Sequence, residues 1–258
     1  MSELMSGKKG IIMGVANKKS IAWKIAERLK TEGAELAFTY QNKKIGEKVI
    51  PMFEKIEAAS HHKLDITDDQ EFEAVFSKIG EEFDGQFDFV VHAIAGGPTK
   101  EDLKGKYMDT GRSSFLRSME ISVYSYVKAL QLAYPFMKEE GGAAVTLTYY
   151  GGEKVIPNYN VMGVAKAALE SSVKYLAADL GQDEIRVNAL SPGPILTRAA
   201  SGISDFRGLM RNFKEKSPLG RLVEQEEVAA SALYLLSDLS SMVTGEVVHV
   251  DGGFHVKG

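Results

Sequence analysis

Short apolar runs, most of them closed by glycine, proline or a polar turn, alternate with stretches of helical spacing along almost the whole chain. Lys8–Gly14, Glu35–Tyr40, His62–Leu64, Phe87–Ile94, Ala143–Tyr150, Ile185–Leu190 and Glu246–Val250 read as strands. Between the first two, Ile21, Ile25 and Leu29 recur at helical spacing. Lys43–Ile56, Asp69–Phe83, Arg112–Met137, a segment running to about Gly181 and Val223–Ser237 continue the helical pattern. A strand followed by a helix must cross over before the next strand, so the pattern specifies α/β architecture with a mostly parallel sheet covered on both faces. No linker, low-complexity tract or internal repeat divides the chain, and residues 1–258 are expected to form a single domain.

Composition narrows what such a domain can do. With 44% hydrophobic and 26% charged residues the chain can bury a substantial core. A formal net charge of −4 with no extended basic block argues against nucleic acid as a partner. The absence of cysteine excludes disulfides, thiolate metal sites and cysteine nucleophiles, and the five histidines lack metal-ligand spacing. Met1–Lys9 has no apolar core of a signal peptide, and no apolar run is long enough to span a bilayer. No metal and no membrane are therefore expected, and the lack of cysteine is compatible with the cytosol.

In a doubly wound sheet, ligands sit beyond the carboxyl ends of the strands, where the strand order reverses. Strand, Gly14 and the helix opening near Ser20 together form an anion site of backbone N–H groups, suited to a pyrophosphate. Ser20 is expected to cap that helix. Only Gly14 of the usual dinucleotide glycines is present, with Ala16 and Ser20 as further small residues. Gln41, closing the second strand, stands where an acidic residue would bind an adenosine ribose. It can still hydrogen-bond there without charge, and the lack of a nearby arginine fits NADH better than NADPH, with Lys43 and Lys44 leaving the second open. Ala95-Gly-Gly-Pro98 would admit a ligand close to the backbone, and His92 reads as a structural hydrogen-bonding residue.

Tyr149 and Tyr159 bracket the loop after the fifth strand, and Lys166 follows seven residues after the second tyrosine. Seven helical positions return to within about 20° of the starting direction, so the pair shares a face if the helix includes Tyr159. A phenol and an ammonium beside a strand end can polarise a carbonyl. Alone, such a pair is an ordinary feature of an amphipathic surface, and a carbonyl reductase or a non-catalytic dinucleotide sensor would use the same fold.

From Gly10 to Phe254 the chain resembles the short-chain dehydrogenase/reductase superfamily. Within it the resemblance is to the NADH-dependent enoyl-[acyl-carrier-protein] reductases of bacterial type II fatty acid synthesis. It is carried by Gly14-Val-Ala-Asn-Lys-Lys-Ser-Ile-Ala, Ala34-Glu-Leu-Ala-Phe-Thr-Tyr-Gln41, Ile156-Pro-Asn-Tyr-Asn-Val-Met-Gly163 and Thr244-Gly-Glu-Val-Val-His-Val-Asp-Gly-Gly-Phe254. Commoner members place tyrosine four residues before lysine; here that position is Met162, and Tyr149 replaces the usual serine. The resemblance implies a Rossmann-type doubly wound sheet of seven mostly parallel strands. It implies NADH-dependent reduction of trans-2-enoyl thioesters carried by acyl carrier protein, in a cytoplasmic homotetramer.

By the same resemblance, Tyr159 binds the thioester carbonyl, Tyr149 is a second active-site phenol, and Lys166 binds the nicotinamide ribose. Gly14, Ser20 and Ile21 line the pyrophosphate end, Gln41, Asp65 and Ile66 the adenosine, and Ile94 with Ile195, Leu196, Thr197, Arg198 and Ala199 the nicotinamide half. Gly97 corresponds to a substrate contact. The helical stretches Arg112–Met137 and Asn160–Gly181 are the candidate subunit interface. Residues 195–216 read as a mobile substrate-binding flap, in which Arg198, Arg207, Arg211, Lys214 and Lys216 outnumber Asp205 and Glu215. Its basic face is expected to dock an acidic carrier protein.

Overall fold

The computed structural model describes residues 3–197 and 205–257. The strands are β1 Lys9–Met13, β2 Glu35–Tyr40, β3 Ser60–Lys63, β4 Phe89–His92, β5 Gly142–Leu147, β6 Ile185–Pro192 and β7 Val247–Val250. They form one seven-stranded sheet in the order β3-β2-β1-β4-β5-β6-β7. Every neighbouring pair is parallel. The order reverses between β1 and β4, which opens a crevice beyond Met13 and His92, partners in register.

The first helices are α1 Ile21–Thr31, α2 Lys43–Lys55, α3 Asp69–Glu82, α4 Lys100–Lys104, α5 Arg112–Met119 and α6 Ser125–Met137. They are followed by α7 Val161–Leu180, α8 Phe206–Lys216, α9 Gln225–Leu236 and α10 Phe254–Lys257. Successive strand residues face opposite sides, and the core divides accordingly. Ile12, Phe38, Phe89, Val91 and Val145 pack with α1, α2 and α9. Ile11, Met13, Val90, Ala144 and Val187 pack with α3, α6 and α7 on the other face. Among the described residues no helix is long and apolar enough to cross a membrane.

Two expected helices differ in ways that matter for the site. The stretch Arg112–Met137 is not one α-helix, because a π turn at Glu120–Tyr124 separates α5 from α6. The wider turn brings Ser122 to the loop after β4, where its hydroxyl donates to the Gly96 carbonyl at 3.0 Å and accepts from the Gly96 N–H at 3.1 Å. π turns of this kind recur at functional sites. The second helix, α7, starts at Val161, so Tyr159 lies outside it.

Candidate active site

The crevice is shaped first by backbone. Gly14 has φ +99°, and a Cβ there would lie 2.2 Å from the Ala93 carbonyl oxygen. Only glycine lets the loops after β1 and β4 pass so closely. The first N–H groups of α1 have no intrahelical acceptor, and with the helix dipole they favour an anion. Ser20 stands at the N-cap but makes no capping bond. Its hydroxyl instead accepts from the N–H groups of Ala16 at 3.0 Å and Asn17 at 3.2 Å, so it shapes the turn rather than the helix end. Exposed Gln41 follows β2. Asp65, just after β3, accepts from the Thr67 N–H at 3.1 Å and hydroxyl at 2.8 Å, and these bonds hold its carboxyl below the usual range.

Side chains build the other end. Lys166, only 4% exposed, donates from Nζ to the carbonyl of Leu147, the last residue of β5, at 2.7 Å. Burial lowers its pKa to about 8, opposed by the charge of Glu170 one helical turn further on. Glu170 is itself buried and accepts from the Thr148 hydroxyl at 2.5 Å. Burial pushes its carboxyl up, with the Thr148 bond acting in the opposite direction. His92, fully buried below this end, is kept neutral by desolvation and then by the Lys166 charge. The Ser125 hydroxyl donates to the Ile121 carbonyl, so it accepts from His92 Nε2–H, and Nδ1 accepts from Thr146. His92 is thus a structural residue.

Tyr149 and Tyr159 meet edge to face, with ring centroids 5.0 Å apart and planes at 71°. Tyr159 packs with Leu103 of α4 and Met162 of α7. A Cβ on Gly151 would come within 2.4 Å of the Tyr159 ring, so that glycine lets the ring lie against backbone. Burial raises the pKa of both phenols, with the neighbouring Tyr149 and Glu170 adding to the effect on Tyr159. Both are therefore neutral O–H donors at ordinary pH. The Tyr149 hydroxyl and the Ser191 hydroxyl at the end of β6 are buried with no hydrogen-bond partner among the described residues. Buried polar atoms without partners cost stability, and a bound molecule can satisfy them.

A sequence profile for the family described as Enoyl-(Acyl carrier protein) reductase matches residues 14–255. The chain belongs to that reductase family. It is 55% identical to "Enoyl-[acyl-carrier-protein] reductase [NADH] 1" of Rhizobium meliloti (strain 1021), over 100% of this chain and 93% of that protein. The structure of the reductase from Anaplasma phagocytophilum in complex with NAD superposes with a TM-score of 0.95 at 50% identity, covering 100% of this chain and 97% of the other. The Bacillus cereus reductase, solved with NADP+ and indole naphthyridinone, gives 0.96 at 47% identity over the full length of both chains.

Of the residues marked in the sequence of this family member, Gly14 and Ile94 border the crevice, while Gln41, Asp65 and Ile66 follow the carboxyl ends of β2 and β3. Ile21 opens α1, Ile195 packs partly buried on the α1 side, and Leu196 is 56% exposed. The Thr197 N–H donates to the Ile195 carbonyl at 2.8 Å. Arg198 and Ala199 lie outside the described residues. Gly97, φ +114°, is required by packing, because a Cβ would sit 2.5 Å from the Ser118 backbone. Sequence reasoning missed Leu103, Thr148, Asn160 and Glu170. Glu170 carried a signal, since it lies four positions beyond Lys166 on one helix face; Leu103 sits in a polar stretch and carried none.

Proposed function

We propose that this chain reduces the carbon–carbon double bond of trans-2-enoyl thioesters linked to acyl carrier protein, with NADH as reductant, in cytoplasmic fatty acid elongation. The observation that carries the reading is a buried, neutral Tyr159 set edge-on to Tyr149, whose hydroxyl has no partner among the described residues, together with a buried Lys166 held on the last carbonyl of β5. The close pass of Gly14 and Ala93, the open α1 N-terminus and a Ser191 hydroxyl with no partner among the described residues suit a dinucleotide. Gly14, Ser20 and Ile21 would hold its pyrophosphate end, Gln41, Asp65 and Ile66 its adenosine, and Ile94 with Ile195–Ala199 its nicotinamide half. Bound NADH supplies the hydride for the β-carbon.

Tyr159 donates to the thioester carbonyl oxygen. Negative charge grows there as an enolate forms, so this bond strengthens towards the transition state, an effect of ~3 kcal/mol for one such donor; uptake of a proton at the α-carbon then collapses the enolate and completes the saturation. Lys166, anchored on Leu147, orients the nicotinamide ribose hydroxyls and adds a favourable field in a site of low dielectric. Tyr149 supplies a second phenol, and Gly97 a close backbone approach for substrate. The test is NADH absorbance with crotonyl thioester and a simple ketone side by side. Oxidation is expected with the thioester alone; reaction with the ketone alone contradicts the reading.

The α8 helix supports the carrier-protein partner. Arg207, Arg211, Lys214 and Lys216 are exposed on it, while buried Phe213 stacks on Tyr149 at 6.3 Å and on Phe254 at 3.6 Å. A basic face is thereby tied to an active-site ring, which favours an acidic carrier. Replacing Arg207 and Arg211 by Glu should raise KM for the carrier-linked substrate and spare coenzyme A thioesters; equal effects on both contradict docking there. Assembly as a homotetramer is supported by a shallow groove of about 410 Å³ between α6 and α7, lined by Val127, Ala168, Tyr175 and Leu176, with Tyr175 73% exposed. Light scattering of the purified protein tests it.

A further inference from the structure

We infer that Asn160 is a positioning residue, whose side chain ties the short helix carrying Leu103 to the turn carrying Tyr159. Its amide nitrogen lies 2.9 Å from the Asp102 carbonyl oxygen, 3.1 Å from that of Leu103 and 2.7 Å from that of Gly105, so its two N–H donors are shared among three acceptors, one of them bifurcated. These carbonyls lie at the C-terminal end of α4, where a helix leaves its acceptors unsatisfied. Three acceptors around one group also assign the amide, because its oxygen would be repelled there. Five residues are too few for α4 to hold its place alone. Its other end is secured by the Thr99–Asp102 capping box and by the Ser114 hydroxyl, which donates to Asp102 at 2.6 Å. Asn160 completes the fixation and presses Leu103, the one buried residue of α4, against Tyr159.

The backbone at Asn160 belongs to the same device. Its φ of 41° and ψ of −119° lie near the first central position of a type II′ turn, which glycine and asparagine favour. The turn sets Tyr159 immediately before α7 and directs the next side chain at α4. Glycine at 160 would keep the turn and remove the tie, alanine would lose both, and aspartate would point a carboxylate at three carbonyl oxygens.

The proposal rests on Tyr159 as the carbonyl donor, so the experiment reads the tie without catalysis as well. In full-length Asn160→Gly, amide hydrogen exchange across residues 100–106 should accelerate while the melting temperature stays close to wild type. KM for crotonyl thioester should rise about tenfold, the scale of a lost hydrogen-bonding group, with KM for NADH unchanged. Asn160→Ala should show the same KM change and in addition a lower kcat, because Tyr159 is displaced. Unchanged exchange overturns the tie. Faster exchange with wild-type KM, or equal rises in both KM values, overturns its role in the substrate pocket. A wild-type protein inactive on thioester would remove the functional reading, and exchange would still decide whether the tie exists.

Discussion

The turn after β1 and the turn before α7 both place a residue at positive φ beside the crevice, and they do so by opposite means. At Gly14 the conformation, φ +99°, costs little because no side chain is present, and the ligand-facing groups are backbone N–H donors. At Asn160 a residue with a side chain takes φ 41°, and bonds to a distant segment hold it there. The first turn makes a surface out of local geometry. The second depends on tertiary contacts, because it must aim a phenol. Backbone can cradle a phosphate wherever a strand meets a helix, whereas a proton donor needs walls that keep it buried and pointed.

Substitutions should separate the two ends. Tyr159→Phe removes the donor at the second turn and should lower kcat about a hundredfold while leaving NADH affinity in place, as single-turnover kinetics and cofactor titration would show. Gly14→Ala should do the reverse. Strain at positive φ and the clash with Ala93 should cost ~1–3 kcal/mol of stability and raise KM for NADH, read by chemical denaturation and steady-state kinetics. Tyr149→Phe deletes a hydroxyl that has no partner among the described residues. Stability should hold or increase, and kcat should fall about tenfold, as expected for a bond made only with substrate bound. A loss of stability would mean the hydroxyl is paired within the protein.

The smallest effect concerns charge. If turnover needs the Lys166 ammonium, activity should fall as pH rises through about 8, the range to which burial lowers it. The negative charge of Glu170 holds that proton on, so Glu170→Gln should move the alkaline fall to lower pH while the amide oxygen still accepts from Thr148. A fall displaced to higher pH would contradict the assigned coupling.

The same contrast explains what the sequence made legible. Apolar runs such as Phe87–Ile94 and Ala143–Tyr150 mark β4 and β5 because a strand buried on both faces carries few polar positions, here His92 and Thr146, to confuse the pattern. The crevice at Gly14 was readable for a similar reason: strand, glycine and helix start lie consecutively in the chain. Tyr159 and Lys166 are readable as a pair by their spacing, which puts them on one face only if the helix includes Tyr159. The structure sets Tyr159 in a turn instead, because Asn160 leaves helical geometry to reach α4, fifty-five to fifty-eight residues away in sequence. The π turn at Glu120–Tyr124 was hidden likewise, since helical periodicity runs through it and only the Ser122–Gly96 bonds call for the extra residue. Ser20 was placed correctly and given the wrong partner, because a hydroxyl at a helix start can serve the turn before it as well as the helix after it.

The central claim is that a neutral phenol at position 159 meets the charge that develops on the thioester oxygen. A crystal structure with oxidised dinucleotide and an enoyl-thioester analogue tests it most directly. The account predicts the Tyr159 oxygen about 2.7 Å from the carbonyl oxygen of the analogue, a short O–H···O bond. A Tyr159 ring turned away from that oxygen, with another group donating to it, would contradict the account.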